Sequence, residues 1–158
     1  THDEKPTNSF LYSLVMDTYS MGFASGSVNE MPLNHKIFLA QFDAIKKIAE
    51  EGPCVLVGRC ADYALEERDD VLSVFIHADM DKRIAAVMAR DHINSRLKAK
   101  RKIEEIDEKR STFRKEFTGE EWGQSKYYNL SIDTTHLSYQ QAADLILYYK
   151  KLAEEAQK

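Results

Sequence analysis

The sequence predicts an α/β domain built on a parallel sheet. Three short segments rich in apolar, β-branched or aromatic residues are typical of strands, namely 54–57, 71–77 and 128–133. Segments with a helical period separate them, and strands that alternate with helices favour right-handed crossovers between parallel strands. A chain of 158 residues, 43% of them apolar, suits one domain with a sizeable core. We therefore expect residues 1–158 to form a single domain.

Two helices are expected before the first strand. Apolar residues recur at helical spacing over residues 8–23, whereas residues 24–33 contain a glycine, a proline and two serines and are typical of a loop. Apolar and charged residues alternate with a 3.6-residue period over residues 34–51, which predicts an amphipathic helix ending at Gly52. The four apolar residues at 54–57 then predict a strand that is covered on both faces.

The second half of the chain continues this alternation. A short helix is predicted at 63–67, and a longer one follows the second strand, beginning near Met80 between two aspartates. Residues 93–115 are dominated by charge, so we expect this segment to bury little and to be able to move. Ser138 is placed to open a last helix after the third strand.

The bulk properties narrow the functional classes. A net charge of -4 argues against sequence-independent binding to polymeric nucleic acid, which requires a basic face. No apolar run approaches the roughly 20 residues that cross a bilayer, and residues 1–5 lack the apolar core of a signal peptide. A cytoplasmic location without membrane attachment is therefore expected. Cys54 and Cys60 lack the spacing of a zinc site, so we expect reduced thiols and no metal-ligating residues.

A guanidinium and a carboxylate follow the first predicted strand. Gly58 allows a sharp turn there, because glycine adopts backbone angles that other residues resist. Arg59 would lie at the carboxyl end of the strand, where open α/β sheets bind ligands, and its planar fork suits a phosphate. Asp62 would accept a hydrogen bond from a sugar hydroxyl or a base amine. A simple salt bridge across the end of the sheet is the alternative for this pair.

A second charged group lies within the segment 93–115. On a helix, Asp107 and Arg110 are i and i+3 neighbours on one face. The carboxylate can therefore bind a hydroxyl while the guanidinium binds a phosphate of the same ligand. The alternative is an ordinary ion pair on a solvated face. A basic run from Arg96 to Lys102 precedes the pair. Although such runs are usually just exposed, a polyphosphate reaction requires a mobile basic lid that neutralises the transferred group and excludes water.

Polar residues also follow the third predicted strand. Thr134 and Thr135 lie between this strand and the helix opened by Ser138. A helix N-terminus with two hydroxyl groups can bind an anion or the edge of a purine. A plain turn between a strand and a helix explains the same residues at least as well. His77, which ends the second predicted strand, is more simply a hydrogen-bonded histidine than a catalytic base.

Five loose motifs occur in an order and at a spacing that together are fairly specific. They are Gly58-Arg59 after a strand, 74–78 followed by 81–84, 106–110, 117–123 with 127–130, and 132–138. Taken together, they resemble the cytidylate kinase-like branch of the nucleoside monophosphate kinases over most of the chain after about residue 8. The resemblance implies a three-layer P-loop kinase-like fold with a parallel sheet and a helical lid at about residues 90–120.

The resemblance also implies an activity and the residues that carry it. The activity is transfer of the ATP γ-phosphoryl group, with Mg²⁺, to a nucleoside monophosphate, with CMP or dCMP as the inherited acceptor. Arg59 and Arg110 would bind the acceptor phosphate, and Asp107 its sugar. Because such enzymes act by positioning and charge, arginines of the lid or its hinges are the expected catalytic groups. These are Arg90, Arg96 and Arg101, with Arg83 in the same region, while Thr134 and Thr135 are the expected contacts to ATP.

One part of the family pattern has no match in this sequence. No segment fits G-x-x-x-x-G-K-[ST], and the glycine-serine patch at 22–27 follows a predicted helix and lacks the lysine. We therefore expect that the N-terminal βα unit with the phosphate loop is absent from this chain, which alone would be inactive. Two alternatives to the enzyme remain: a nucleotide-binding sensor that has lost phosphotransfer, and a structural domain whose arginines form surface ion pairs.

Overall fold

The computed structural model describes residues 33–156. The chain divides into two compact units, residues 1–69 and 70–158. The helix predicted at 8–23 and the glycine-serine patch at 22–27 lie outside the described residues. That residues 1–158 form one domain stays a prediction.

The described part of the first unit is helical. Helix α1 spans Leu33–Glu51 and the single-turn helix α2 spans Ala61–Ala64. Ile45 on the inner face of α1 is buried, and the ring of Phe42 lies 6.0 Å from the ring of Tyr63 in α2. The apolar stripe thus confirms the long helix predicted from its period, while the short helix begins two residues earlier than predicted.

The strand predicted at 54–57 is not formed, and that prediction was wrong. The segment has no regular secondary structure, and Val55 and Val57 are 91% and 89% exposed. A strand is stable only when its backbone groups pair with a neighbouring strand. Within residues 33–156, the two strands pair with each other, and neither pairs with this segment. Four apolar residues in a row were therefore insufficient to specify a strand.

The second unit is an α/β arrangement around a short parallel sheet. Its elements in chain order are β1 (Val74–His77), α3 (Met80–Arg90), α4 (Arg96–Thr118), a 3₁₀ turn (Ser125–Tyr127), β2 (Leu130–Asp133) and α5 (Tyr139–Ala156). The two strands are parallel and in register from Val74 opposite Leu130 to His77 opposite Asp133. The structure therefore confirms an α/β class, with two strands and five α-helices among the described residues. The three-layer P-loop arrangement stays a prediction.

Local signals explain where two of these helices begin or end. The hydroxyl of Ser138 accepts a hydrogen bond from the backbone N–H of Gln141 at 3.2 Å, and the Gln141 amide oxygen accepts one from the backbone N–H of Ser138 at 2.9 Å. This reciprocal pair is a capping box, which fixes the start of α5 as predicted. Helix α4 ends at Thr118 and is capped by Gly119, whose left-handed φ of 74° lets its backbone N–H donate to the Lys115 carbonyl.

The charged segment 93–115 contributes two residues to the core of the second unit. Ile84 on α3 packs with Ala99 and Ile103 on α4, and these three residues are 2%, 0% and 3% exposed. Most residues of 93–115 are exposed, as expected from their charge, but the buried Ala99 and Ile103, one turn apart, attach α4 to α3. No helix among residues 33–156 combines the length and the apolar character needed to cross a bilayer.

Candidate functional site

Asp107, near the middle of α4, lies between two arginines. Arg83 on α3 places Nη2 2.7 Å from Oδ1 and 2.6 Å from Oδ2 of Asp107. Arg110, one turn further along α4, places Nη1 3.8 Å from Oδ1. The side chains of Asp107, Arg83 and Arg110 are 21%, 31% and 61% exposed. We call these three residues the Asp107 cluster, and its carboxylate is the least exposed member.

The packing of α3 on α4 brings this cluster together. Arg83 immediately precedes the buried Ile84, and Asp107 follows the buried Ile103 by one helical turn. Because Ile84 and Ile103 belong to one core, the two helices hold Arg83 and Asp107 within ion-pair distance. The sequence predicted the pair of Asp107 with Arg110 from i, i+3 spacing, but it assigned Arg83 only to the lid or its hinges.

The Asp107 cluster presents both an acceptor and donors. The Asp107 carboxylate is oriented by Arg83 and has lone pairs beyond those bonded to it, so it can accept a hydrogen bond from a ligand hydroxyl. A guanidinium carries five N–H donors, and within residues 33–156 the one ion pair of Arg110 is the contact at 3.8 Å. Arg110 therefore has donors for a phosphate or carboxylate next to the group that would accept the hydroxyl.

Two of the three arginines predicted as catalytic, Arg90 and Arg96, form ion pairs with different aspartates. Arg90 donates to Asp91 at 2.7 and 3.1 Å, and Lys102 lies 3.0 Å from the same carboxylate. Hydrogen bonds from Arg90 and Lys102 hold the pKa of Asp91 well below its usual range. Arg96 instead pairs with Asp81 on α3. These contacts attach the start of α4 to α3, which is consistent with a hinge, and the catalytic role stays a prediction.

Arg101 differs from the other two. It is exposed on α4, and among the described residues it makes no hydrogen bond or ion pair. A mobile, solvated guanidinium is what a lid residue offers to a phosphate that arrives with the substrate. Its catalytic role also stays a prediction.

Thr134 and Thr135 join the carboxyl ends of the two strands. The Thr134 hydroxyl donates to the carbonyl of His77 at 3.0 Å. The Thr135 hydroxyl donates to Asp133 Oδ1 at 2.6 Å and accepts a hydrogen bond from the backbone N–H of Asp79 at 2.8 Å. Each hydroxyl has one proton, and both protons are donated within the protein. The two side chains therefore offer a ligand only acceptor lone pairs in this arrangement.

The Thr135 hydroxyl also sets the acidity of its neighbour. Side-chain and backbone hydrogen bonds from Thr135 lower the pKa of Asp133, because they stabilise the carboxylate. A lowered folded-state pKa stabilises the protein above the unfolded pKa of about 3.9, and this stabilisation is lost as the pH falls through the lower folded value.

We expect Thr135→Val to raise the pKa of Asp133 toward its ordinary value, because the hydroxyl donor is removed while the backbone donor remains. An NMR titration of the side-chain carboxyl carbon measures this shift. Thr134→Val is the matched control, since the Thr134 hydroxyl donates to a carbonyl instead and its loss should leave the Asp133 titration unchanged. Equal midpoints in the Thr135 variant and the wild type would contradict the assignment.

Arg59 lies in the first unit, on a turn of unusual backbone geometry. Gly58, Arg59 and Cys60 have φ angles of 73°, 57° and 53°, all in the left-handed region. For a residue with a Cβ, this conformation costs about 1–2 kcal/mol. The turn is closed by a hydrogen bond from Ala61 N–H to the Gly58 carbonyl at 3.1 Å, and it leads into α2, where Asp62 is half-buried.

The sequence predicted the sharp turn at Gly58, but not its continuation through two non-glycine residues. Such strain is concentrated at functional sites in many proteins, so the observed outlier supports a functional role for Arg59. The predicted contacts of Arg59 and Asp62 to an acceptor stay predictions.

Sequence reasoning missed Arg114, which is buried near the end of α4. Arg114 is 4% exposed, and its Nη2 lies 2.6 Å from Glu120 Oε2. Its guanidinium carbon lies 5.6 and 5.2 Å from the ring centroids of Tyr127 and Tyr128. The signal that could have indicated it is helical spacing, because positions 107, 110 and 114 fall on one face of α4.

Comparison with known proteins gives a family and one informative solved structure. The model of the cytidylate kinase-like family matches residues 1–136. The crystal structure of an uncharacterized protein from Eubacterium ventriosum ATCC 27560 is similar, with a TM-score of 0.75 and 26% sequence identity, over 89% of this chain and 79% of that chain. No curated protein matches. Because the family model covers most of the sequence, including both strands and the Asp107 cluster, the chain belongs to the cytidylate kinase-like family.

Proposed function

We propose that this chain belongs to a nucleotide kinase that transfers the γ-phosphoryl group of ATP to a nucleoside monophosphate, with CMP or dCMP as the acceptor. Membership of the cytidylate kinase-like family supports a nucleotide kinase at the coarse level. The observation that carries the finer proposal is the Asp107 cluster, in which a carboxylate held by Arg83 adjoins the more exposed Arg110.

In this proposal the Asp107 cluster binds the acceptor. Asp107 accepts a hydrogen bond from a hydroxyl of the acceptor sugar, and Arg83 keeps the carboxylate oriented for that bond. Arg110 donates to the acceptor phosphate, for which a planar guanidinium is well suited. The distance of 3.8 Å between Arg110 and Asp107 leaves Arg110 able to turn toward a phosphate without breaking a close ion pair.

Phosphoryl transfer makes particular demands on such a site. The transition state is loose, with negative charge spread over the oxygens of the transferred group, so the protein acts mainly by positioning and by charge. Arg110 would hold the attacking phosphate, while the exposed arginines of the lid neutralise charge around it. This division would account for the several arginines that this chain carries on α4 and where α4 meets α3.

The residues at the strand ends do not fit the triphosphate of ATP. Phosphate oxygens need donors, yet the protons of Thr134 and Thr135 are donated to protein oxygens and Asp133 beside them has a lowered pKa. Their lone pairs suit the amino group of a base instead. The residues from 33 to 156 also hold no cluster of three or more potential metal ligands. We therefore assign neither threonine to the ATP phosphates and no described residue to Mg²⁺, while contact of Thr134 and Thr135 with the base of ATP stays a prediction.

A coupled assay of the complete encoded protein, with ATP and Mg²⁺ against each nucleoside monophosphate, tests the proposal. We expect CMP or dCMP to be phosphorylated faster than the other acceptors. If a different monophosphate is the best acceptor, the choice of base is overturned while the kinase stands. If none is phosphorylated but one raises the melting temperature, the protein is a nucleotide sensor. If the protein neither phosphorylates nor binds any nucleoside monophosphate, the proposed function is overturned entirely.

Arg59→Ala tests the prediction that Arg59 binds the acceptor phosphate. We expect kcat/KM for the acceptor to fall about tenfold, because a lost charge-assisted hydrogen bond costs at least about 1.5 kcal/mol. The melting temperature should change little, since the side chain is exposed. Lys47→Ala, which removes an exposed charge from the same unit, is the control and should retain full activity. Wild-type kinetics for Arg59→Ala would remove Arg59 from the proposed site.

A further inference from the structure

Arg114 combines burial, charge and a fixed geometry at the end of α4. Its side chain is 5% exposed, and it forms an ion pair at 2.6 Å with Glu120, whose side chain is 23% exposed. Removing two charges from water is costly, so a buried ion pair often contributes no more stability than apolar residues of the same volume. The ion pair of Arg114 with Glu120 can instead contribute by fixing the local geometry.

The partner of Arg114 is itself fixed by the end of the helix. The Thr118 hydroxyl donates to the Arg114 carbonyl at 2.7 Å and accepts a hydrogen bond from the backbone N–H of Glu120 at 3.1 Å. Gly119, with its φ of 74°, turns the chain between these two bonds. Glu120 is thus returned to the side of α4 at a defined position, so its ion pair with Arg114 constrains the helix itself.

Aromatic rings connect this end of α4 to the sheet. The guanidinium of Arg114 lies over Tyr128, and the ring of Tyr128 is 5.1 Å from the ring of Phe75 in β1. Trp122 packs edge-on against the same phenylalanine at 5.5 Å. A Cβ added at Gly123 would lie 3.2 Å from this ring, so the loop approaches Phe75 closely. These contacts tie residues 114–128 to β1.

Arg114 lies on the same face of α4 as two members of the Asp107 cluster. An α-helix rises 1.5 Å per residue, so Arg110 and Asp107 lie about 6 and 10 Å from Arg114 along the axis on the same face. On its other side Asp107 is held by Arg83 from α3. The two residues assigned to the acceptor therefore lie between two anchors, Arg83 on α3 and Arg114 against the sheet.

We propose that Arg114 is a positioning residue for the acceptor site: clamped by Glu120, Tyr127 and Tyr128, it fixes the orientation of α4 and so the placement of Asp107 and Arg110. The inference rests on the proposed function, because the acceptor is what the site positions. Displacement of binding groups by about 1 Å lowers reaction rates by up to about 100-fold, so loss of the clamp should affect the acceptor strongly.

Arg114→Lys tests the inference in the complete encoded protein. Lysine keeps the charge but lacks the planar fork and its stacking on the tyrosines. We expect KM for the acceptor to rise about tenfold or more while KM for ATP stays near the wild-type value. Lys115→Ala is the matched control, because Lys115 makes an equally short pair with Glu121 one residue further on, but an exposed one. It should leave both KM values unchanged.

Folding is checked separately from positioning. Trp122 is the single tryptophan of the chain and packs beside the clamp, so its fluorescence reports whether this region is folded. If Arg114→Lys does not fold, Glu120→Gln replaces it, since glutamine keeps a hydrogen-bond acceptor while removing the charge. A variant that is folded and less thermostable, but has the wild-type KM for the acceptor, would show a purely structural role and overturn the inference alone. A wild-type protein that neither binds nor phosphorylates a nucleoside monophosphate would overturn the proposed function and this inference with it.

Discussion

Arg110→Ala is expected to lower kcat/KM for the acceptor by about 10- to 150-fold, because a hydrogen bond to a charged group is worth about 1.5–3 kcal/mol. Arg110 is 61% exposed and its contact with Asp107 is long, at 3.8 Å, so little of its interaction is committed to the folded protein. The free energy of unfolding of the Arg110→Ala variant should therefore stay within about 0.5 kcal/mol of the wild-type value. Steady-state kinetics and urea denaturation measure the two quantities.

Lys109 supplies a stringent control for this experiment. It is adjacent to Arg110, is 71% exposed and makes a closer ion pair, at 2.7 Å with Glu105. Lys109→Ala removes the same charge from the same turn, but from a different face of α4. Long-range electrostatics would weaken both variants alike, whereas a specific contact to the acceptor phosphate weakens only Arg110→Ala. Equal losses in the two variants would therefore contradict the role assigned to Arg110.

Local signals made some elements of this fold predictable. The helix at 34–51 follows from its apolar period, and α5 follows from Ser138 with Gln141, because a capping box involves residues three apart. The strands at 74–77 and 130–133 lie inside the segments that β-branched and aromatic residues indicated. In each case the information lies within one turn or one short run of the chain.

Pairing between distant segments was not predictable in the same way. The apolar run at 54–57 has the composition of a strand, but pairing depends on a partner elsewhere in the chain. The many charged residues of 93–115 likewise gave no indication that Ala99 and Ile103 are buried. These two residues are buried because α3 packs on them. Composition averages over a whole segment, whereas one buried position per turn is enough to attach a helix.

The residues of the candidate site show the same difference between local signals and contacts of distant segments. Asp107 and Arg110 were found from their spacing, which is a property of one helix. The ion pair of Arg83 with Asp107 joins positions 24 residues apart and requires the α3–α4 core, so no local pattern contains it. Arg114 was missed for a related reason: an arginine in a charged helix predicts an exposed side chain, and its burial depends on tyrosines that lie beyond the next turn.

Ile103→Ala is expected to lower the free energy of unfolding of the second unit by about 2–5 kcal/mol. Ile103 is 3% exposed and packs with Ile84 and Ala99 in the core between α3 and α4. Truncation removes buried methyl and methylene groups and leaves a cavity, because neighbouring side chains relax only partly. Urea denaturation followed by Trp122 fluorescence measures the change, since the single tryptophan lies in this unit.

Leu97→Ala is the control for Ile103→Ala. It shows how much stability is lost when a large apolar side chain on the same helix is shortened outside the core. Leu97 lies on the same helix and loses a similar number of carbon atoms, but it is 58% exposed, so we expect a change within about 0.5 kcal/mol. Because the Ile103 core also brings Arg83 to Asp107, Ile103→Ala should raise KM for the acceptor even where the protein is fully folded. If Ile103→Ala loses much stability but keeps the wild-type KM, the α3–α4 core supports the fold without aligning the Asp107 cluster. If Ile103→Ala and Leu97→Ala lose equal stability, the assignment of Ile103 to the core is contradicted.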